Sequence, residues 1–315
     1  NHYKKMQKKY FGTDGIRAAS NSHKLNGLTM MRLGMSLGKL FTDGEHKHRV
    51  VIGKDTRLSG YAIEQSLTSG LLSMGLDVLL LGPIPTPGVA MLAKSMRADL
   101  GVMISASHNS YLDNGIKIFD KHGNKLSDET ECEIEKLMDS NIEEHLVSPE
   151  KMGRAKRLED ANARYIEFQK NTFPKKINLE GIKIVLDCAN GAAYKSAPII
   201  LWELGAEVIA IGVDPNGINI NHECGSTHPE NMAKKVIAEK ADIGMCFDGE
   251  GERIIICDEK GKVIDGDQIL ALLALHWKKY SQLSTNAIVA TSMSNFGRET
   301  ILTKNGITLH RANVG

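Results

Sequence analysis

Two short stretches of this 315-residue chain concentrate side chains that can do chemistry. The first is GVMISASHNSYLDNGIKIFD, residues 101–120. An apolar run ends in Ser105, Ser107 and His108, and Lys117 stands alone in a second apolar run. A serine at the end of a strand can carry a phosphoryl group, first as nucleophile and then as donor. His108 can hydrogen-bond a phosphate or hydroxyl oxygen. Lys117 can place a cation, or a tunable acid–base group, beside it. Backbone N–H groups in such a turn suit an anion. The same residues also read as an ordinary strand end, with Asn109 as a turn former.

The second stretch is ADIGMCFDGEGERIIICDEKG, residues 241–261, with Asp248, Glu250 and Glu252 at alternating positions, Gly249 and Gly251 between them and Arg253 next. Three carboxylates separated by glycines can converge on one hard divalent cation. Mg²⁺ takes few protein carboxylates and completes its shell with water or phosphate oxygens, so a phosphoserine could supply the last oxygen. An acidic β-turn without a metal is the alternative.

Both loops need strands to hold them, and the chain repeats one plan three times. A β-branched run, a polar or Gly-rich corner, a helical stretch and a second apolar run lead from VVIGKDTRLSG to MGLDVLLLG, from IKIVLDCANGAAY to LGAEVIAIG and from AIVATSMSNFG to NGITLHRA. Gly75, Gly205 and Gly306 hold matching places, where a helix ends before the next strand. Residues 184–186 show no polar alternation, as expected of a parallel strand buried on both faces. Strand–helix–strand units of this kind predict three similar α/β domains in tandem. One doubly wound domain with additions is the alternative. In α/β sheets ligands gather outside the carboxyl ends of strands, which is where residues 105–109 would sit. The polar run 148–165 reads as a linker leading into a helix, and 258–268 as a turn-rich hairpin that ends the second domain.

Composition narrows the function classes. With 42% hydrophobic and 24% charged residues the chain is not globally disordered. A net charge of +1 argues against a nucleic-acid or membrane-surface binder. No apolar run is long enough to span a membrane, since Gly75 and Asp77 interrupt the best candidate. The five cysteines, an odd number without Cys-x-x-Cys spacing, fit a reducing cytoplasm and no zinc site. The basic start NHYKKMQKKYFG lacks the apolar core of a signal peptide, and Met6 is the first candidate start.

Taken together, the loops resemble the α-D-phosphohexomutase family. The likeness runs through FGTDGIRA (11–18), IGKDTRLSG (52–60), GPIPTPGVA (82–90), ISASHNSYLDNGIKIF (104–119), DCANGAAY (187–194), NGININHECGSTHPE (216–230), FDGEGER (247–253), DGDQILALLA (265–274) and ATSMSNFG (290–297). FGTDGIRA, CGSTHPE and MSN resemble the branch acting on glucosamine phosphates. The resemblance implies tandem α/β/α sandwich domains with mixed and parallel sheets. Domain I, with the phosphoserine loop, would cover 6–155; domain II, with the metal loop, 156–258; and an incomplete domain III, 259–315. It implies that Ser107 is the phosphorylated serine, and that Asp248, Glu250 and Glu252 hold Mg²⁺ together with the Ser107 phosphate. Arg17, His108, Lys117 and Arg253 would surround the transferring group. The implied reaction turns glucosamine 6-phosphate into glucosamine 1-phosphate through a bound bisphosphate, in the cytoplasm, as a step toward UDP-N-acetylglucosamine and the cell wall.

Three departures from the family pattern carry expectations. The metal loop of the family reads Asp-Gly-Asp-Gly-Asp-Arg, and two of those Asp are Glu here. Each Glu carries its carboxylate about 1.5 Å further out, so weaker Mg²⁺ binding or a displaced loop is expected. Ser110 stands where the family has proline, which loosens φ in the serine loop. The sequence stops at HRANVG, before the family's sugar-reading Gly-Glu-x-Ser-Gly-His loop and its fourth, phosphate-gripping domain. On that ground the chain as given is expected to be a poor mutase, with an exposed sheet edge near Val314. The competing readings are a non-catalytic remnant of the fold, a phosphatase-like enzyme that loses its phosphoserine to water, and a phosphomannomutase or phosphoglucomutase of the same family.

Overall fold

The computed structural model describes residues 8–294 and 299–313. Met6, Val314 and positions 295–297 of the third-domain motif lie outside the described residues.

The first part of the chain builds a six-stranded mixed sheet. In chain order its elements are β1 (Ile16–Ala19), α1 (Gly27–Leu40), β2 (Arg49–Lys54), α2 (Gly60–Ser73), β3 (Asp77–Pro83), α3 (Thr86–Ser95), β4 (Leu100–Ile104), β5 (Asp113–Asp120), α4 (Asp128–Met138) and β6 (Ala155–Arg157). The strand order is β1-β5-β4-β2-β3-β6. Strands β2, β3, β4 and β6 run parallel, and β5 turns back antiparallel to both β4 and β1. Alternation sends Val50 and Ile52 into a core with Leu33, Leu37, Leu67 and Leu71, whereas Val51 packs on the opposite face with Val89, Leu92 and Tyr165. A strand buried on both faces needs apolar residues at every position, which is why β2 and β4 read as unbroken apolar runs.

The second part follows the same plan with α5 (Ala161–Lys170), β7 (Lys183–Asp187), α6 (Ser196–Glu203), β8 (Glu207–Ile211), α7 (Pro229–Glu239), β9 (Ile243–Phe247), β10 (Ile254–Cys257) and β11 (Val263–Ile264). The sheet order is β11-β10-β9-β7-β8, parallel across β8, β7 and β9 and antiparallel beyond. Helix α7 covers one face through Met232 and Val236, and α6 the other through Ala197. The third part has α8 (Gly266–Lys279), β12 (Ala287–Thr291), α9 (Glu299–Lys304) and β13 (Thr308–Ala312), with β12 and β13 parallel. Asp265 caps α8 in a reciprocal box with Gln268, satisfying two otherwise orphaned N–H groups.

All three expected strand–helix–strand units are present as parallel pairs: β2–β3, β7–β8 and β12–β13. Gly75, Gly205 and Gly306 follow their helices with φ of +90°, +104° and +68°. The hairpin expected at 258–268 is the antiparallel β10–β11 turn, and α8 begins inside that stretch. The stretch 148–165, expected as a linker leading into a helix, does lead into α5, but it is not all linker. Its Ala155–Arg157 forms β6, which pairs with β3 at the edge of the first sheet. Those three residues are exposed, and an edge strand with polar side chains carries no alternating apolar signal.

Candidate active site

Ser107 sits just beyond the carboxyl end of β4, and Asp248 just beyond the carboxyl end of β9. The two sheets therefore present their ligand-binding ends to each other. The contact between the loops is close. A Cβ on Gly249 would fall 2.6 Å from the Ser107 carbonyl oxygen and 2.7 Å from Ile220 Cδ1. Gly251 has a different duty, since its φ of +72° lies in the left-handed region that side chains resist.

Ser107 itself has φ +54°, a costly conformation for a non-glycine residue, and is buried. Its surroundings hold it there. The Ser107 N–H donates to Ser105 Oγ at 3.1 Å, and the Ser105 hydroxyl donates to Asp55 Oδ2 at 2.6 Å. Arg57 Nη2 and Asn221 Nδ2 donate to the Ser107 carbonyl at 3.1 Å and 2.9 Å. Arg57 is fully buried against Asp55, Nε to Oδ2 at 2.8 Å, and also donates to the Ser110 and Asp113 carbonyls. Burial raises the Asp55 carboxyl pKa, and Arg57 and Ser105 oppose that rise. With its carbonyl pinned, Ser107 turns its hydroxyl to Asp248 Oδ2 at 2.6 Å. The other Asp248 oxygen accepts from the backbone N–H groups of Glu252 and Arg253, both at 3.0 Å.

Glu250 is buried, and its carboxylate accepts from Lys117 Nζ at 2.8 and 3.0 Å and from Thr86 Oγ1 at 2.7 Å. Glu252 accepts from the same ammonium at 3.1 Å. Burial by itself would lower the Lys117 pKa, but Glu250 and then Glu252 more than reverse this, and the ammonium is stabilised. Burial by itself would raise Glu250, yet Lys117 and its hydrogen bonds bring it below its ordinary value. Glu252 goes up, from burial and then from the charge of Glu250. The three carboxylates thus share one loop beside Ser107 but are held apart: Asp248 by Ser107 and backbone amides, Glu250 and Glu252 by Lys117. Among the described residues, the metal-sized trio of His, Cys, Asp or Glu ligand atoms within 4.8 Å of one another is His46, His48 and Asp99, elsewhere in the fold.

Arg253 and Arg17 make the cationic side of the site, and His108 lies with them. Arg253 Nη1 donates to His108 Nδ1 at 3.1 Å, which places the imidazole proton on Nε2. Burial, then Arg253 and Arg17, lower the His108 pKa. Arg17 lies on β1 opposite Gly115 of β5, on the face that carries Lys117 two residues on. A cavity of about 180 Å³ opens beside Lys117 and Glu252, bounded by Phe11, Asp14 and Gly15 of the loop before β1. All eight residues singled out in the sequence are therefore drawn to one place. Sequence reasoning missed the buried residues that hold them: Asp55, Arg57, Thr86 and Asn221. Each lies inside a quoted motif, and a charged Asp-x-Arg pair directly after the apolar run of β2 is the one signal that could have singled out the first two.

This arrangement of sheets and loops matches known proteins. Models of the phosphoglucomutase/phosphomannomutase alpha/beta/alpha domains I, II and III match residues 8–145, 163–261 and 265–315. The chain belongs to the phosphoglucomutase/phosphomannomutase family. Within that family, a relative from Parvibaculum lavamentivorans that is 60% identical over 310 residues, 98% of this chain and 69% of its own length, is named phosphoglucosamine mutase. Among solved structures, a phosphoglucomutase/phosphomannomutase family protein from Burkholderia thailandensis superposes with a TM-score of 0.81 at 24% identity, over 97% of this chain and 66% of that one. An N-acetylphosphoglucosamine mutase from Aspergillus fumigatus, in complex with GlcNAc-6P and magnesium, superposes with a TM-score of 0.55 at 17% identity, over 98% of this chain and 63% of that one. No helix among the described residues is long and apolar enough to cross a membrane.

Proposed function

We propose that this chain carries the phosphoryl-transfer centre of a phosphoglucosamine mutase, with Ser107 as the phosphoryl carrier and a hexosamine phosphate as substrate. The observation that carries the reading is the buried Ser107 hydroxyl, held in a strained loop and aimed at Asp248 across the domain boundary at 2.6 Å. The name of the 60% identical relative supports the glucosamine phosphates over other hexose phosphates. Five free cysteines, three of them buried, are in keeping with a cytoplasmic enzyme.

The chemistry follows from the charges. In the resting state the Ser107 hydroxyl donates to Asp248, so its proton has an acceptor. A phosphorylated Ser107 would bring about two negative charges next to Asp248, Glu250 and Glu252, and the single Lys117 ammonium cannot balance them. The donor set of hard carboxylate oxygens suits Mg²⁺, and Asp248, Glu250 and Glu252 would hold it with an oxygen of the Ser107 phosphate. When bound, the ion would neutralise charge on the transferring phosphoryl oxygens. Arg17 and Arg253, which both act on His108, bring positive charge that can meet the charge developing on the equatorial oxygens during transfer. His108, neutral at pH 7 with its proton on Nε2, is set to donate one hydrogen bond to a phosphate or sugar oxygen. Lys117 stays an ammonium and orients Glu250. The sequence of events is transfer from Ser107 to one sugar hydroxyl, turnover of the bisphosphate in the site, and return of the other phosphate to Ser107. Conversion of glucosamine 6-phosphate to glucosamine 1-phosphate, abolished by Ser107→Ala, tests the reading; turnover that persists in that variant would refute it.

A further inference from the structure

The cluster of His46, His48 and Asp99 has no part in the chemistry above. It lies at the amino ends of β2 and β4, the opposite end of the first sheet from Ser107. His46 and His48 belong to the connection between α1 and β2, and Asp99 immediately precedes β4. One ligand atom from each of the three lies within 4.8 Å of the other two. The two imidazole rings are 4.1 Å apart, centroid to centroid.

The hydrogen bonds around the trio are those that orient metal ligands. His48 Nε2 meets the Asp43 carbonyl oxygen at 2.7 Å. A carbonyl only accepts, so the proton is on Nε2 and the lone pair is left on Nδ1. A histidine whose second nitrogen donates to a backbone carbonyl is the usual supported metal ligand. Asp99 is steadied in the same way, its Oδ2 accepting the Arg49 N–H at 2.9 Å. Its Oδ1 accepts a hydrogen bond from His46 Nε2 at 2.8 Å, so in the metal-free protein that nitrogen carries a proton, which an incoming ion would displace. The neighbouring cations are directed away: Arg49 Nη1 donates to the Met96 carbonyl at 3.3 Å, and Lys47 pairs with Asp77 at 3.5 Å. His48 is buried and His46 is more than half exposed, so one wall of the cluster is fixed and the other can close.

We propose that His46, His48 and Asp99 form a binding site for a borderline divalent ion of the Zn²⁺ class, with water in the fourth position, which clasps the 41–48 connection to the start of β4. Two imidazoles and one carboxylate suit Zn²⁺ and Co²⁺, whereas Mg²⁺ prefers an all-oxygen shell. The site is thereby distinct in ligand chemistry from the carboxylate loop beside Ser107.

The test uses the metal-free protein in excess Mg²⁺, which occupies oxygen sites without competing for imidazole nitrogen. Co²⁺ is titrated while its visible absorption is followed, and Zn²⁺ is then measured by competition with a chromophoric chelator. One equivalent of Co²⁺ with a tetrahedral-type spectrum is expected, displaced by Zn²⁺. His46→Gln and Asp99→Asn should each weaken Zn²⁺ binding at least tenfold, and Zn²⁺ should raise the melting temperature of the parent protein more than that of either variant. His46 is exposed and the asparagine keeps an acceptor for the Arg49 N–H, so both variants are expected to fold. Absence of a stoichiometric Co²⁺ site, or equal Zn²⁺ affinity in the parent and both variants, as binding at the cysteines would give, overturns the proposal.

Discussion

Replacing Lys117 by methionine tests how the charge at the centre is balanced. In the resting protein its ammonium makes three contacts of 2.8–3.1 Å with Glu250 and Glu252. Glu252 is 41% exposed at the side chain, so solvent screens its share of the pairing and little stability rests on it. Glu250 is 1% exposed and would keep only neutral hydroxyl partners, Thr86 at 2.7 Å and Ser107. Breaking a fully buried ion pair costs about 3–5 kcal/mol, and an unpaired buried polar group about 1–3 kcal/mol. With Thr86 retained, the expected loss for Lys117→Met is about 2–3 kcal/mol in Mg²⁺-free buffer. A divalent cation should then do part of the work of the missing ammonium. At a hundredfold excess over its dissociation constant a ligand stabilises by about 2.7 kcal/mol, so Mg²⁺ should restore the variant almost fully. Denaturant unfolding of both proteins with and without Mg²⁺ reads this directly. A variant as stable as the parent without Mg²⁺, or a larger Mg²⁺ stabilisation of the parent, would rule out this charge balance.

Four shorter predictions follow from the same geometry. Protein purified from cells should carry a phosphate adduct by intact mass, and Ser107→Ala should lack it. Glu250→Asp combined with Glu252→Asp should tighten Mg²⁺ binding by calorimetry, because shorter side chains fit the octahedral shell of the ion better. Gly249→Ala should cost about 1–3 kcal/mol and lower turnover at least tenfold, since its Cβ would meet the Ser107 carbonyl oxygen at 2.6 Å and force the two loops apart. Because burial, Arg253 and Arg17 lower the His108 pKa below the 6.5 of the unfolded chain, the unfolded state binds the proton more readily and stability falls as pH drops through 6.5. Melting temperatures between pH 7.5 and about 5.5 should fall less steeply for His108→Gln.

The strand–helix–strand units were legible because parallel strands buried on both faces leave unbroken apolar runs, and because each helix ends on a glycine with positive φ. The short edge strand Ala155–Arg157 was not, since three exposed residues, one alanine and two basic, carry no pattern. Ser107, Asp248 and their neighbours were legible by residue type, spacing and family resemblance. The restraints on them were not, because they depend on approach between distant segments. Arg57 reaches Ser107 across 50 positions, Asn221 across 114, and Thr86 reaches Glu250 across 164. Alternating carboxylates suggested joint convergence on one ion. That Lys117 would stand between two of them depends on β5 running antiparallel beside β4, a pairing that spacing alone does not reveal.

The mechanism turns on Ser107 as the carrier of the phosphoryl group between sugar and enzyme. Its most direct test is to incubate the dephosphorylated protein with radiolabelled glucosamine 1,6-bisphosphate and Mg²⁺, and then map the labelled peptide. Label is expected on the peptide containing Ser107, with complete loss in Ser107→Ala and chase back onto sugar when unlabelled glucosamine 6-phosphate is added. Label on another residue, or labelling of the Ser107→Ala variant to the same extent, would contradict it.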